Sequence, residues 1–164
     1  MASTAGYPYG ASNTAVKLYE LRDLLRLGAK EVEFHLSPAR LASRQFQHIE
    51  AEVLQASKSC HESAARLTAV YSSAHLVDDL KIITTKICRR AEVDTVSVDG
   101  GEAELAVMRP LLKDVLQMKL GRPCSTLEET LQAFEAGYSS IAVTDPAPIL
   151  SAWRAQLQAA PAVS

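Results

Sequence analysis

The chain has 164 residues, 48% of them apolar and 5% aromatic, and a formal net charge of −2. That length and composition fit one domain with an aliphatic α/β core better than an all-β sandwich. The near-neutral charge gives no general attraction to nucleic acid or membrane; no apolar run is long enough to span a bilayer, and the N-terminus lacks the basic-then-apolar order of a signal peptide.

In chain order, a strand stub near Ala2 to Tyr7 runs into the turn Gly6-Tyr7-Pro8-Tyr9-Gly10. Ser12, Asn13 and Thr14 are candidate caps for a helix that aligns Leu18, Leu21 and Leu25 and ends near Gly28. Lys30 to Leu36 reads as a strand with Val32, Phe34 and Leu36 on one face and Glu31, Glu33 and His35 on the other. A helix from about Ser43 to Ser57, a strand from Leu67 to Ser72 and a helix from about Val77 to Arg90 follow. Thr95 to Val98 is a short strand, and Gly100-Gly101 opens onto a helix reaching roughly Val115. Leu116 to Leu120 is the next strand. Ser125-Thr126-Leu127-Glu128 has the spacing of a capping box before a helix ending at Gly137. Ser139 to Thr144 is the last strand; Pro146 and Pro148 break the chain before a short helix around Leu150 to Gln158.

About six βα units in strict alternation imply a parallel sheet with right-handed crossovers. An open doubly wound sheet and a (β/α) barrel both satisfy that pattern. Central strands of a doubly wound sheet read as near-continuous apolar runs. Here Glu33, His35, Ser97 and Lys119 alternate with apolar neighbours, which suits a barrel interior with a polar mouth. Cys60, Cys88 and Cys124 are dispersed and odd in number, the usage of reduced thiols in a cytoplasmic protein. Cys60-His61 invites a metal reading, but adjacent helix residues diverge and no second ligand pair follows. Neither metal nor cofactor is implied.

Several of these segments resemble one family. Gly6-Tyr7-Pro8-Tyr9-Gly10-Ala11-Ser12-Asn13-Thr14, then Val16-Lys17, resembles the Gly-Phe-Pro-Leu-Gly-Ala-Asn-Thr-Thr segment after the third strand of deoxyribose-phosphate aldolases. Gly28-Ala29-Lys30-Glu31-Val32-Glu33 resembles that family's Gly-Ala-Asp-Glu-Ile-Asp at strand four, and Lys119 to Thr126 stands where the family has Lys-Ala-Ser-Gly-Gly-Ile-Arg-Thr. Leu127-Glu128-Glu129 and Glu135-Ala136-Gly137 also match. The resemblance implies an incomplete TIM-type (β/α) barrel of about six βα units, equivalent to family strands three to eight. It would occupy residues 1–152, with a tail over 153–164 that is partly helical and then frayed. Two open parallel edges would invite a homo-oligomer or association with an intact aldolase.

The family is a class I aldolase that cleaves 2-deoxy-D-ribose 5-phosphate to glyceraldehyde 3-phosphate and acetaldehyde. By that resemblance, a strand-six lysine forms a Schiff base with the donor carbonyl and the iminium serves as electron sink. A strand-seven lysine supplies a second cation, and a strand-four aspartate moves protons. The strand-six motif Val-Lys-Thr-Ser-Thr-Gly falls on Val96-Ser97-Val98-Asp99-Gly100-Gly101, so Ser97 stands at the nucleophile's position. Lys119 matches the strand-seven lysine, as a retained site cation or a substitute Schiff-base lysine; the plainer reading is a lysine reaching solvent or paired with Glu33. Glu33 matches the aspartate, one methylene longer, and His35 shares its face as a mouth residue. The family cradles phosphate on amides of a Gly-Gly turn after strand seven and a Ser-Ser-Gly turn after strand eight. Here those are Arg122-Pro123 and Thr144-Asp145-Pro146. An anion site would rest on Arg122, with Gly100-Gly101 as a nest of amides or as a plain strand-to-helix turn. The expectation is a kept fold with aldol chemistry lost or severely reduced. The other readings are an active lyase with altered chemistry using Lys119, or a non-catalytic partner or fragment of an intact aldolase.

Overall fold

Val32 and Phe34 are fully buried while Glu31, Glu33 and His35, between them, are partly exposed. This alternation splits the sheet into an apolar convex face under helices and a polar concave face. The computed structural model describes residues 2–73, 76–100, 102–112 and 116–159. The elements are β1 (Ala2–Ala5), α1 (Thr14–Arg26), β2 (Glu31–His35), α2 (Pro38–Ala42), α3 (Phe46–Glu62), β3 (Arg66–Val70) and α4 (Asp78–Arg90). They continue as β4 (Thr95–Val98), α5 (Glu102–Leu112), β5 (Gln117–Cys124), α6 (Leu127–Ala136), β6 (Ser140–Val143) and α7 (Pro146–Ala159).

The six strands are parallel and lie in the order β1-β2-β3-β4-β5-β6. A doubly wound sheet reverses its strand order to place helices on both faces. An order that never reverses, with right-handed crossovers, puts every helix on one side and curls the sheet. The result is an incomplete TIM-type barrel, as the alternation of polar residues implied. Leu67 and Ala69, Val96 and Val98, and Met118 and Leu120 continue the buried face that Val32 and Phe34 begin. Leu21, Ile49, Val53, Ile87 and Met108 pack over them from the helices.

The concave face carries hydrogen bonds where a closed barrel packs branched aliphatic residues. Thr68 Oγ1 donates to Glu31 Oε1 at 2.8 Å, and Arg66 Nη2 donates to Thr95 Oγ1 at 3.2 Å and Gln117 Oε1 at 2.7 Å. Thr68 and Thr95 are themselves buried, so these partners satisfy their hydroxyls in place of water.

Four local features depart from the sequence reading. The helix expected from Ser43 is two helices: Ser37 caps α2 with Pro38 in its first turn, and Arg44 at φ 55° separates it from α3. The capping box is shifted by one residue. Thr126 is the cap and accepts from Glu129 N at 3.2 Å, while Glu129 Oε2 accepts from Ser125 N at 2.9 Å. Pro146 and Pro148 do not precede α7 but form its first turn, where a missing N–H costs nothing. β5 runs eight residues to Cys124, past Leu120. Of the three candidate caps Ser12, Asn13 and Thr14, Asn13 is the cap of α1, accepting from Val16 N at 2.9 Å; Gly137 ends α6 at φ 108°, as read from sequence.

Candidate active site

Strand register builds the site. His35 pairs with Val70, Val70 with Ser97 and Ser97 with Lys119, so one row crosses β2 to β5 near the strands' C-terminal ends. That end of the strands is where TIM barrels carry their chemistry. Lys119 Nζ donates to Glu33 Oε1 in an ion pair spanning from β5 to β2, with β3 and β4 between. Both side chains are about four-fifths buried, at 20% and 23% exposure. Ser97 is buried beside this pair. Neither a carboxylate nor an imidazole among the described residues accepts a hydrogen bond from its hydroxyl. A serine becomes a nucleophile when a base takes its proton, and none of the described residues is placed to do so. Gly121, two residues beyond Lys119, leaves the space over Ser97 open, since a Cβ there would lie 2.9 Å from Ser97 Oγ.

His35 is held at both ends. Its ring packs edge-on against Tyr7, with centroids 5.6 Å apart, and hydrogen-bonds the Pro8 backbone. Burial holds the imidazole below the ordinary histidine pKa, despite Glu33 nearby, so it is neutral at pH 7. Its carbonyl accepts from Lys17 Nζ at 2.9 Å. Lys17 is itself fully buried, paired with Glu52 Oε2 at 2.8 Å and lying 4.6 Å from the centroid of the Phe34 ring. Burial pulls the Lys17 ammonium below the ordinary lysine value, against the Glu52 hydrogen bond and charge that support it. Gly10 lets the turn before α1 rest on β2, because a Cβ there would meet His35 O at 2.3 Å.

Each of the two turns that the resemblance would assign to phosphate carries proline. Residues 121–124 are strand, with a register irregularity between Leu120 and Cys124, and Pro123 has no N–H. At the start of α7, Pro146 and Pro148 have none, and Ala147 N already donates to Asp145 Oδ1 at 3.0 Å. Anion binding at a helix N-terminus needs free, converging N–H groups, and this one offers none in its first three residues. Arg122 is exposed and borders a cavity of about 170 Å³ with Gly100, Leu120, Gln132 and Tyr138. Gly100 O accepts from Tyr138 Oη at 3.2 Å. Arg122 and Gly100 therefore meet at one cavity, apart from the Lys119–Glu33 pair; Gly101 lies outside the described residues.

Asp99 emerges as a mouth residue that sequence reasoning missed. It accepts from Ser73 N, Ser73 Oγ and Ser72 Oγ, all at 2.8 Å, and so ties the segment after β3 to the end of β4. Burial raises its pKa, but the hydrogen bonds from Ser73 and Ser72 together outweigh that and leave the carboxyl below its ordinary value. Ser72-Ser73 after one strand and Asp99 after the next was the available signal. Among the described residues, no group of three or more His, Cys, Asp or Glu side chains could hold a metal ion. Cys60 is buried, its thiol pushed up to about 12 by burial and then by Asp94, and His61 Nε2 lies 3.1 Å from Asp94 Oδ2.

A parallel barrel segment with a lysine–carboxylate pair near the C-terminal ends of its strands defines the class: a protein with an incomplete TIM-type barrel. The chain is 23% identical over 157 residues to the deoxyribose-phosphate aldolase of Thermococcus kodakarensis, covering 92% of this chain and 70% of that protein. Its fold superposes on QR15, an aldolase, with TM-score 0.87 at 18% identity, covering 96% of this chain and 73% of that one. It also superposes on the tetrameric deoxyribose-phosphate aldolase of Aeropyrum pernix with TM-score 0.80 at 20% identity, covering 94% and 68%. No protein-family model matches the chain. The chain is a homologue of the deoxyribose-phosphate aldolases.

Proposed function

We infer that this chain is a deoxyribose-phosphate aldolase-like protein whose aldol chemistry is lost or severely reduced. The observation that carries the reading is Ser97, in register with Lys119 at the position that the resemblance assigns to the Schiff-base lysine. Imine formation needs a neutral amine that attacks the carbonyl and then expels water, leaving C=N⁺ as an electron sink. A hydroxyl can add to a carbonyl but cannot expel water to give that cation, so the adjacent carbon–carbon bond has nowhere to send its electrons. The phosphate turns support the same reading, because each carries a proline that has no N–H and Ala147 N is already used by Asp145. On this view Lys119 and Glu33 are a remnant ion pair, His35 lines the mouth, and Arg122 with Gly100 and Gly101 offers at most a weak anion contact. The protein would act in the cytoplasm, with its three buried thiols reduced, as a binding or assembly partner.

A second reading uses Lys119, one strand away from Ser97, as a substitute Schiff-base lysine on another carbonyl compound, with Glu33 and His35 moving protons. Its specific support is the carboxylate already in contact with Lys119. Borohydride trapping in the presence of 2-deoxy-D-ribose 5-phosphate, followed by intact mass and peptide mapping, separates the two. The first reading expects no adduct; an adduct on Lys119 overturns it and establishes the second.

A further inference from the structure

α6 presents small and polar side chains to the sheet it covers. Glu129, Gln132, Ala133 and Ala136 recur at i, i+3, i+4 and i+7, the spacing of one helix face. All four line the cavity of about 170 Å³ over β5. A helix covering a sheet usually fills such a face with large apolar side chains. Here Phe134 points outward instead, 49% exposed, and the two alanines are too short to fill the space. Leu120 and Arg122, two positions apart on β5, reach the cavity from the sheet. Leu120 belongs to the buried convex face, so the cavity lies on the opposite side of β5 from Lys119. α5 packs against α4 and α6 against α7. The gap between α5 and α6 is bridged by Arg109 Nη2 donating to Ala136 O, and by Tyr138 Oη donating to Gly100 O at 3.2 Å.

The cavity holds opposite charges that do not meet. Arg122 and Glu129 both border it, yet among the described residues neither has an ion pair. Glu129 Oε2 accepts from Ser125 N at 2.9 Å, which leaves acceptor positions on Oε1. Gln132 Nε2 donates to Glu128 Oε1 at 3.4 Å, which leaves its amide oxygen. Leu120, Ala133 and Tyr138 are buried beneath these polar groups. A bare anion would gain Arg122 and be repelled by Glu129, and a bare cation would meet the reverse. A molecule carrying both charges close together satisfies both. The volume is below the roughly 300–1,000 Å³ of pockets for drug-sized ligands, so the ligand is small.

We propose that the cavity between β5 and α6 binds a free α-amino acid with a small aliphatic side chain. Its carboxylate meets Arg122, its ammonium meets Glu129 and the Gln132 amide oxygen, and its side chain lies against Leu120, Ala133 and Ala136. The inference rests on this cavity and is independent of the chemistry at Ser97; without Glu129, Arg122 remains only a weak anion contact.

The test titrates L-valine into the isotope-labelled full chain and follows the amide resonances by NMR. Isovalerate and isobutylamine keep the valine skeleton but lack the ammonium or the carboxylate, and inorganic phosphate is run as a bare anion. The expected result is saturable shifts at Ala133, Ala136 and Tyr138 with L-valine. Affinity should be roughly tenfold or more lower for each analogue, and for L-valine in Arg122→Gln and in Glu129→Gln, as the loss of one charged hydrogen bond implies. Both positions are exposed, and glutamine keeps an acceptor for Ser125 N. Circular dichroism checks the fold of each variant, and if Glu129→Gln does not fold, Arg122→Gln and the two analogues decide. Three results overturn the proposal. One is no saturable shift up to about 10 mM L-valine, where a site with a Kd of about 1 mM would be mostly filled. Another is an analogue or phosphate binding as tightly as L-valine. The third is undiminished binding by either folded variant.

Discussion

Lys119 of β5 and Glu33 of β2 are joined in an ion pair over the two strands between them. Their partly buried contact holds the curl of the sheet and engages both groups that the resemblance would assign to catalysis. Glu33→Gln keeps the shape and removes the charge. A hydrogen bond to a charged group contributes about 1.5–3 kcal/mol, so the variant should lose stability at the lower end of that range. Urea unfolding checks this; an unchanged midpoint would mean the pair contributes nothing to the curl.

The buried Lys17–Glu52 pair should behave differently. Removing one member of a buried ion pair leaves a charge without a partner and costs about 3–5 kcal/mol, whereas replacing both with apolar residues is often neutral or better. Lys17→Met should therefore be strongly destabilised, and Lys17→Met/Glu52→Leu should recover most of the loss. Because Lys17 also holds His35 O, the His35 ring resonances should move in the single variant. A cost below about 1 kcal/mol for Lys17→Met, against the range for breaking such pairs, would contradict this account.

Asp99 predicts a pH dependence. Its folded pKa is depressed, since the Ser73 and Ser72 hydrogen bonds outweigh burial. Its contribution is present above the unfolded value of about 3.8 and is lost as pH falls through the folded value. Amide exchange at Ser73 should be slow at pH 6 in the native chain and faster in Asp99→Asn. The difference should shrink as the native protein is taken below pH 4. Equal protection in both proteins at pH 6 would remove Asp99 as the anchor.

Two glycines make a matched pair. Gly10 at φ +59° would place a Cβ 2.3 Å from His35 O and 2.7 Å from Leu36 C, while Gly28 at φ +91° has nothing within 4 Å. Gly28→Ala should cost about 1 kcal/mol for backbone strain alone. Gly10→Ala should cost about 3 kcal/mol or more, because it adds a backbone clash to strain of about 1–3 kcal/mol. Thermal unfolding of both variants, with similar losses as the contrary result, decides it.

The barrel-type order was legible because Glu31, Glu33 and His35 alternate with Val32 and Phe34, a period that reports which face meets the helices. The end of α6 at Gly137, and the start of α1 to within Ser12, Asn13 and Thr14, were legible for a similar reason, since cap chemistry is local. The Lys17–Glu52 pair was not, although both charges fall on the apolar faces of their helices, beside Leu18 and Leu21 and beside Ile49 and Val53. Sequence spacing can place two charges on buried faces without saying that those faces meet. The first turn of α7 was misread because a proline that breaks a helix interior is equally at home in its first turn, and only the cap at Asp145 distinguishes the two.

The most direct test of the central claim is the cleavage of 2-deoxy-D-ribose 5-phosphate by the purified chain, with acetaldehyde release followed by enzymatic reduction and the Thermococcus kodakarensis aldolase run alongside. The account predicts no acetaldehyde above the protein-free blank. Sustained turnover that disappears in Lys119→Met would contradict it, because a chain with Ser97 in the nucleophile's place would then have kept its chemistry on the neighbouring strand.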